Sequence, residues 1–550
     1  MRSKLAKACG VLLLLSVGTV AAQAPTQSPD LILINGRVFT AVDTKTFAEA
    51  VAIRGTRILA VGTNQHILVL AGPNTRRIDV GGRVVIPGIN DAHYHLAVYP
   101  KIVRLPLEGQ EPTWDQVRET LKKAVASAPK GTILLGETGA TVFESVEANR
   151  KSLDELSPSH PVVLEGWTGH YYILNSAALR MLGVNEDQSN PLGGRYVRGP
   201  DGRLTGLTLE FATFRLARKM SELTSEQEAL RQTRNFLNAA TRLGITTVQN
   251  MSDPVAADRL VSLYEAAPTP IRMRIMHFVL TDEHHRLTEE GRTLARTPSP
   301  FITVSGTKYI LDGTPIERSC AMRQPYSDDA NASGWTDFTE KDMEAILRES
   351  LKANDQLLVH IVGDRTTEAF LNAMDATGGK AVWSKRRVRI EHGDGIAPDL
   401  MPRVKQLGII VVQNPTHLAL HDLLLRRFGP VRTDQLQPLR SLLDAGIPVA
   451  LGSDGPFNPY LNIMLASNIP GKPNESITRE QAVIAYTRTS AYAEFAEKDK
   501  GTLEPGKFAD LAVLSQDIFK VPPPELPKTE SLLTLVGGKA VYSAGALAQR

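Results

Sequence analysis

Cysteine is nearly absent. Of 550 residues only Cys9 and Cys320 carry a thiol. Cys9 falls in a leader segment, so the mature chain keeps one thiol, can form no internal disulfide, and must draw its stability from an apolar core. An excess of one charge is missing too. The 62 basic and 59 acidic residues leave a net charge of +3, and no Lys/Arg cluster marks a nucleic-acid track, so no such partner is expected. No apolar run is long enough to span a bilayer. The run near Gly10 to Val20 follows Arg2, Lys4 and Lys7 and leads into small residues before Pro25. That is the build of a secretory signal peptide, expected over residues 1–22, with the mature chain exported to the bacterial periplasm and keeping no stable membrane span. Cys9 precedes the apolar run, which argues against lipid attachment. Finally, no Gly-rich phosphate loop opens a helix after a strand, which weighs against a doubly wound nucleotide-binding sheet.

The composition that is present, 42% apolar and 22% charged, is that of a folded globular protein. From Asp30 to about Val85 the chain reads as short β runs punctuated by Asn-Gly, Arg-Gly and Gly-Gly turns. A related pattern returns in "GTLEPGKFADLAVLS" and "LLTLVGGKAVYSAG". The two ends, 30–85 and 500–548, are expected to close into one small β-sandwich-like domain. Between them, apolar β-branched runs alternate with amphipathic helical stretches. The runs are "RVVIPGINDAH", "GITTVQNM", "IRMRIMHFVL", "FITVSGTKYILDG", "QLLVHIVGD", "RVRIEHG", "GIIVVQNP" and "IPVALGSDG". Eight such units predict an α/β fold, a TIM-type (β/α)8 barrel over 86–499. The interval 101–242 after the first strand is too long for one crossover and is expected to hold an inserted subdomain. Its helices are expected at "WDQVRETLKKAVASA" and "TSEQEALRQTRNFLNAATRLG".

Barrel enzymes carry their chemistry at the C-terminal ends of the strands. Those ends bring His93 and His95 on the first, Lys308 on the fourth and His360 on the fifth, then His392 on the sixth and Asp454 on the eighth. His93 and His95 alternate with Tyr94, so both rings project from one strand face, which is half of a metal site. His-x-His alone is weak evidence. Four of 12 histidines at strand ends in this order are much stronger.

The motifs "PGINDAHYH", "LNSAAL", "PDGRLTGLTLE", "GTKYILDGTP", "VHIVGDR", "IEHGD", "LGSDGPF" and "GTLEPGKFADLAVL" resemble the amidohydrolase superfamily of metal-dependent hydrolases, in its YtcJ-like branch (amidohydrolase family 3). The resemblance runs from about Asp30 to Gly545. It implies hydrolysis of a C–N bond in an amide, N-formyl or cyclic amide by a metal-activated hydroxide. It also implies two divalent ions, Zn2+ or else Mn2+, Co2+ or Fe2+. His93 and His95 would bind the more buried ion, and His360 and His392 the second. Lys308, carboxylated by CO2, would bridge them, and Asp454 would contact the first ion and transfer protons. The chemistry is consistent. Only a neutral amine adds to CO2, burial lowers a lysine's pKa, and the carbamate offers two oxygens.

Second-rank substrate contacts are His170 in "WTGHYYILNSAAL", Glu210 in "TGLTLE" and His417 in "NPTHL". In this chain "WTGH" replaces the acidic residue that relatives often place before Gly-His, which alters the contacts expected there. His277, His284 and His285 are read as structural, Cys320 as a small packed hydrophobe, and Trp167, Tyr171, Tyr172 and Phe457 as core or pocket wall. An ester or lactone hydrolase, or a deaminase, would share the fold and most of the ligands. A deaminase commonly needs one metal and no lysine bridge, so Lys308 speaks against it. A barrel that has lost catalysis and serves as a binding or regulatory module would not need all six ligands. A small-molecule substrate is expected, and homo-oligomerisation is compatible with everything above.

Overall fold

The computed structural model describes residues 28–549, apart from Thr269, 285–286 and 290–292. The leader over 1–22 and His285 lie outside the described residues.

Eight parallel strands form the central sheet. They are β1 (Ile89–Tyr94), β2 (Ile245–Asn250), β3 (Arg272–Thr281), β4 (Ile302–Ile310), β5 (Leu357–Ile361), β6 (Arg389–His392), β7 (Ile410–Gln413) and β8 (Val449–Leu451). Each pairs in parallel with the next in chain order. Some read as near-continuous apolar runs, as in IVVQ of β7, because both faces of a barrel strand are covered, while INDAHY of β1, ITTVQN of β2 and RIEH of β6 bury polar side chains. Helices fill the crossovers. The one at Glu340–Ala353 starts at a Thr339–Asp342 capping box and stops at Asn354, whose φ of 49° ends the helix. The ring closes where Tyr94 bridges Asp454 in parallel and the Asp454 N–H donates to the His93 carbonyl at 2.9 Å. Closure needs Gly452, since a Cβ there would fall on the backbone and Cβ of His93.

Two smaller sheets share strands from both ends of the chain. One runs, in order, Ala548–Gln549, Arg76–Asp79, Leu31–Ile34, Ala50–Arg54 and Arg57–Gly62. The other runs Lys539–Ser543, Ser531–Val536, Leu511–Leu514, Val84–Pro87, Arg37–Phe39 and Phe47–Ala48. Leu33, Val51, Val85, Leu511 and Leu535 pack between them in one core, so the pair is a sandwich. The Pro87-Gly88 step carries the chain out of the sandwich and into β1. Gly88 is required there because a side chain would collide with Thr246.

Between β1 and β2 stands a third sheet, which the sequence reading did not anticipate. Its order is Gly194–Arg198, Leu204–Glu210, Tyr171–Leu174, Val162–Gly166, Ile133–Thr138 and Ile102–Arg104. One face (Leu134, Leu164, Ile173) packs on Trp114 and Leu121 of the helix Trp114–Ser127. The other (Leu135, Val163, Leu174) packs on Leu216 and Met220 of the helix Phe211–Glu222. The helix Glu226–Arg242 then leads into β2. Among the described residues, no helix is long and apolar enough to cross a membrane.

Candidate active site

The carboxyl ends of the barrel strands gather imidazoles. The His93 and His95 Nε2 atoms lie 3.0 Å apart. Both approach Asp454 Oδ1, at 3.8 Å and 3.6 Å, and His417 Nε2 lies 3.5 Å from Asp454 Oδ2. The His392 ring centroid is 5.0 Å from that of His93, 4.4 Å from His360 and 5.2 Å from His417. Among the described residues, His93, His392 and Asp454 each offer a ligand atom within 4.8 Å of the other two.

Burial decides the protonation of these groups. It drives His93 down to about 4, with the Lys308 charge adding to it. Burial and neighbouring cationic groups hold His360 and His392 well below the usual range. All three rings are therefore neutral at pH 7, with a lone pair to give. Burial raises Asp454, but the surrounding histidines outweigh it and keep the carboxyl well below its ordinary value. Lys308 is 0% exposed. Burial lowers it to about 8 against the pull of Glu391 and Asp454, so it keeps a substantial neutral fraction.

Several buried polar atoms find no hydrogen-bond partner: Lys308 Nζ, His360 Nε2 and His392 Nδ1. Buried groups of this kind are ordinarily paired. Neutral imidazoles, an amine and an ionised carboxylate make a nitrogen–oxygen donor set of the type that holds Zn2+, Mn2+ or Co2+. The residues present fit such an ion.

Sequence reasoning missed the groups beneath this set. His93 Nδ1 lies 2.6 Å from Glu391 Oε2. Arg389 donates to both Glu391 oxygens, at 2.8 Å and 3.0 Å, and to the Ala92 carbonyl at 2.7 Å. Burial raises Glu391, but Arg389 and His93 outweigh it and hold the carboxyl down to about 2. An ionised Glu391 fixes the proton on His93 Nδ1 and leaves Nε2 free, the usual way a carboxylate orients a ligating histidine. A signal was present in "RIEH", where Arg389 and Glu391 sit two apart in a buried strand and so share a face. Asp253 was also missed; its Oδ1 stands 3.4 Å from His95 Nδ1. Asp91 was missed as well. It receives the Ser453 N–H at 2.8 Å across the barrel seam, and burial pushes its carboxyl up to about 7.

The second-rank residues sit close by. Glu210 Oε2 lies 2.6 Å from His170 Nδ1, and the His170 ring is 4.8 Å from that of His360. Burial works against the charge on His170, but Glu210 outweighs it and raises the imidazole to about 9. Glu210 is fully buried, not an exposed helix-start residue. Its φ of 51°, with 69° at His392 and 54° at Asp454, places strained non-glycine backbone at the site. Cys320 is buried away from the histidines, with its Sγ 2.9 Å from Tyr326 Oη.

A cavity of about 300 Å³ opens above these groups, with Lys308, His360, His392 and Asp454 on its floor and Trp167 and Tyr172 on the wall supplied by the inserted sheet. Tyr171 faces the core instead, and the Phe457 ring packs against Tyr94 in a tilted contact, 4.5 Å between centroids.

Known proteins are similar to this chain in sequence and in shape. The description "Amidohydrolase family" matches residues 76–542. Protein LONG AFTER FAR-RED 3 of Arabidopsis thaliana is 30% identical over 93% of this chain and 91% of its own length. An N-substituted formamide deformylase of Arthrobacter pascens is 27% identical over 94% of this chain and 99% of its own. A solved structure of an uncharacterized metal-dependent hydrolase from Pyrococcus horikoshii shares the fold, with a TM-score of 0.69 at 19% identity over 90% of this chain and 99% of that one.

Proposed function

The chain belongs to the amidohydrolase family, and on that premise we propose that it is a metal-dependent hydrolase of amides, N-formyl amines or cyclic amides. One observation carries the reading. The unpartnered Lys308 Nζ, His360 Nε2 and His392 Nδ1 converge on one cavity floor with Asp454.

In this reading His93, His95, His360, His392, Asp454 and a carboxylated Lys308 hold two divalent ions, Zn2+ in the first instance. When bound, such ions lower the pKa of water toward roughly 7 and polarise the carbonyl to be attacked. The remaining work falls to the chain itself. Glu391 keeps His93 in the tautomer whose Nε2 points at the site. Neutral Lys308 adds its nitrogen to CO2, forming an N–C bond and losing one proton to solvent; the resulting carbamate carries one negative charge. Asp454 accepts a proton from the attacking water and delivers it to the leaving nitrogen, so amide plus water becomes carboxylic acid plus amine. His417 orients Asp454, and charged His170, backed by Glu210, faces the substrate. The inclusion of N-formyl amines is supported by likeness to a formamide deformylase over nearly the whole chain. A leader over 1–22 would make the periplasm the workplace, checked by sequencing the mature N-terminus from a periplasmic fraction.

The test is turnover of a panel of N-formyl and N-acyl amines, before and after chelation. Hydrolysis that stops on chelation and returns with Zn2+, Mn2+ or Co2+ is expected. Undiminished hydrolysis in chelated, metal-free enzyme would overturn the reading.

A further inference from the structure

Two carboxylates at the cavity end of the inserted sheet have no part in the chemistry above. Glu137 and Glu165 are cross-strand partners on neighbouring parallel strands, and Glu165 is in turn the partner of Tyr172. Alternation puts them on the same sheet face as Leu135 and Val163, which are buried in the core below. All three line the cavity. Like charges on directly opposed positions destabilise a sheet, and Glu165 is only 8% exposed.

Counter-charge from the protein is thin. Arg104 approaches Glu165 Oε1 at 3.6 Å with a side chain 54% exposed, a pair of little worth in water. The Tyr99 hydroxyl donates to Oε2 at a long 3.3 Å. Glu137 has no ion pair among the described residues. The whole cavity lining contains Glu137, Glu165, Asp253, Asp394 and Asp454 against no arginine, Lys308 as its one lysine, and His170, which Glu210 holds charged. That the cavity takes a ligand is indicated by buried Lys308 and His360, the proposed metal ligands, which line it with unpartnered nitrogens.

We infer that Glu137 and Glu165, with the Tyr172 ring beside them, form a subsite for an organic cation, so that the preferred amides carry an ammonium or similar group away from the scissile C–N bond. The inference rests on the amide-hydrolase reading and narrows its substrate class. Glu165 is built to respond to such a group. Burial, opposed by Arg104 and reinforced by Glu137, holds its carboxyl up at about 7, so an arriving cation restores the ionised form. The Tyr172 ring adds a cation–π surface. A carboxylate at the same place in a substrate would face both glutamates, with only the half-exposed Arg104 nearby to offset them.

Three N-formyl compounds of matched length test it: N-formyl-1,4-diaminobutane, N-formylpentylamine and N-formyl-5-aminopentanoate. The wild-type enzyme should favour the ammonium compound over the neutral one by about tenfold in kcat/KM, of the order expected for one well-placed cation contact, and should disfavour the carboxylate. Glu137→Gln and Glu165→Gln should each bring the ammonium-to-neutral ratio toward one. Calorimetric Kd values for the same compounds on Asp454→Asn protein read the subsite even where turnover is lacking, so failure of the hydrolase reading and failure of this one are separable. A ratio near one in wild type, by both readouts, would overturn the inference. So would a ratio that Glu137→Gln, at the exposed position, and Glu165→Gln both leave unchanged.

Discussion

At the residue scale, the site is set by which nitrogen of each ring is free. Glu391 decides this for His93, and Arg389 keeps Glu391 ionised. Glu391→Gln preserves the shape but removes the charge, so metal affinity should fall about 10- to 100-fold, read by competition with a chromogenic chelator. Asp454→Asn should keep most of the metal and lose turnover by about 10²-fold or more, seen by comparing metal content with kcat. Lys308 supplies a pH signature. Its amine, lowered to about 8 by burial, is protonated below that pH and neutral above it. Reconstitution of metal-free enzyme at constant dissolved CO2 should therefore accelerate as pH rises and level off above about 8. A rate indifferent to pH between 6.5 and 9 would contradict a carbamate on Lys308. Glu391 escaped the sequence reading because a glutamate beside a histidine advertises nothing until the strand is known to be buried on both faces. The strand-end histidines were legible because their spacing follows the strands that carry them.

At the scale of elements, strand and site cannot be separated at the barrel seam. β1 and β8 meet through Tyr94 and Asp454, and the gap is narrow enough that Gly452 must carry no side chain. Gly452→Ala should cost about 1–3 kcal/mol, as overpacking does, and should loosen His93 as well. A lowered thermal midpoint with reduced metal content would show both effects, and an unchanged midpoint would mean the seam has room to give. The eight barrel strands could be read from the sequence because burial on two faces makes several of them plain apolar runs, such as "GIIVVQNP", at the spacing of alternating β and α segments. The inserted sheet could not. Its neighbours are consecutive strands except at one place, where Leu204–Glu210 rather than the intervening Gly194–Arg198 lies against Tyr171–Leu174, and no local pattern encodes that skip. The helices Trp114–Ser127 and Glu226–Arg242 were visible because a capping Thr113 or Ser225 and a single apolar stripe suffice to define them.

At the scale of the whole molecule, three bodies of structure serve one cavity. The barrel supplies the floor, the inserted sheet supplies a wall, and the terminal sandwich continues directly into β1 through Pro87-Gly88. In the proposed reading this division separates chemistry, carried on the barrel's strand ends, from selectivity, carried on the inserted sheet. A metal held by ligands from five barrel strands would also tie those strands together. Stripping the metal should lower the thermal midpoint, and adding it back should restore the midpoint in a concentration-dependent way. The claim beneath all of this is that the cavity floor is a metal centre bridged through Lys308. Elemental analysis of enzyme prepared without chelator, with Lys308→Ala alongside, tests it most directly. The account predicts about two equivalents of divalent metal in the wild type and a clear deficit in the variant. A folded wild-type enzyme that hydrolyses amides with no metal bound, or a Lys308→Ala protein that binds as much metal as the wild type, would contradict it.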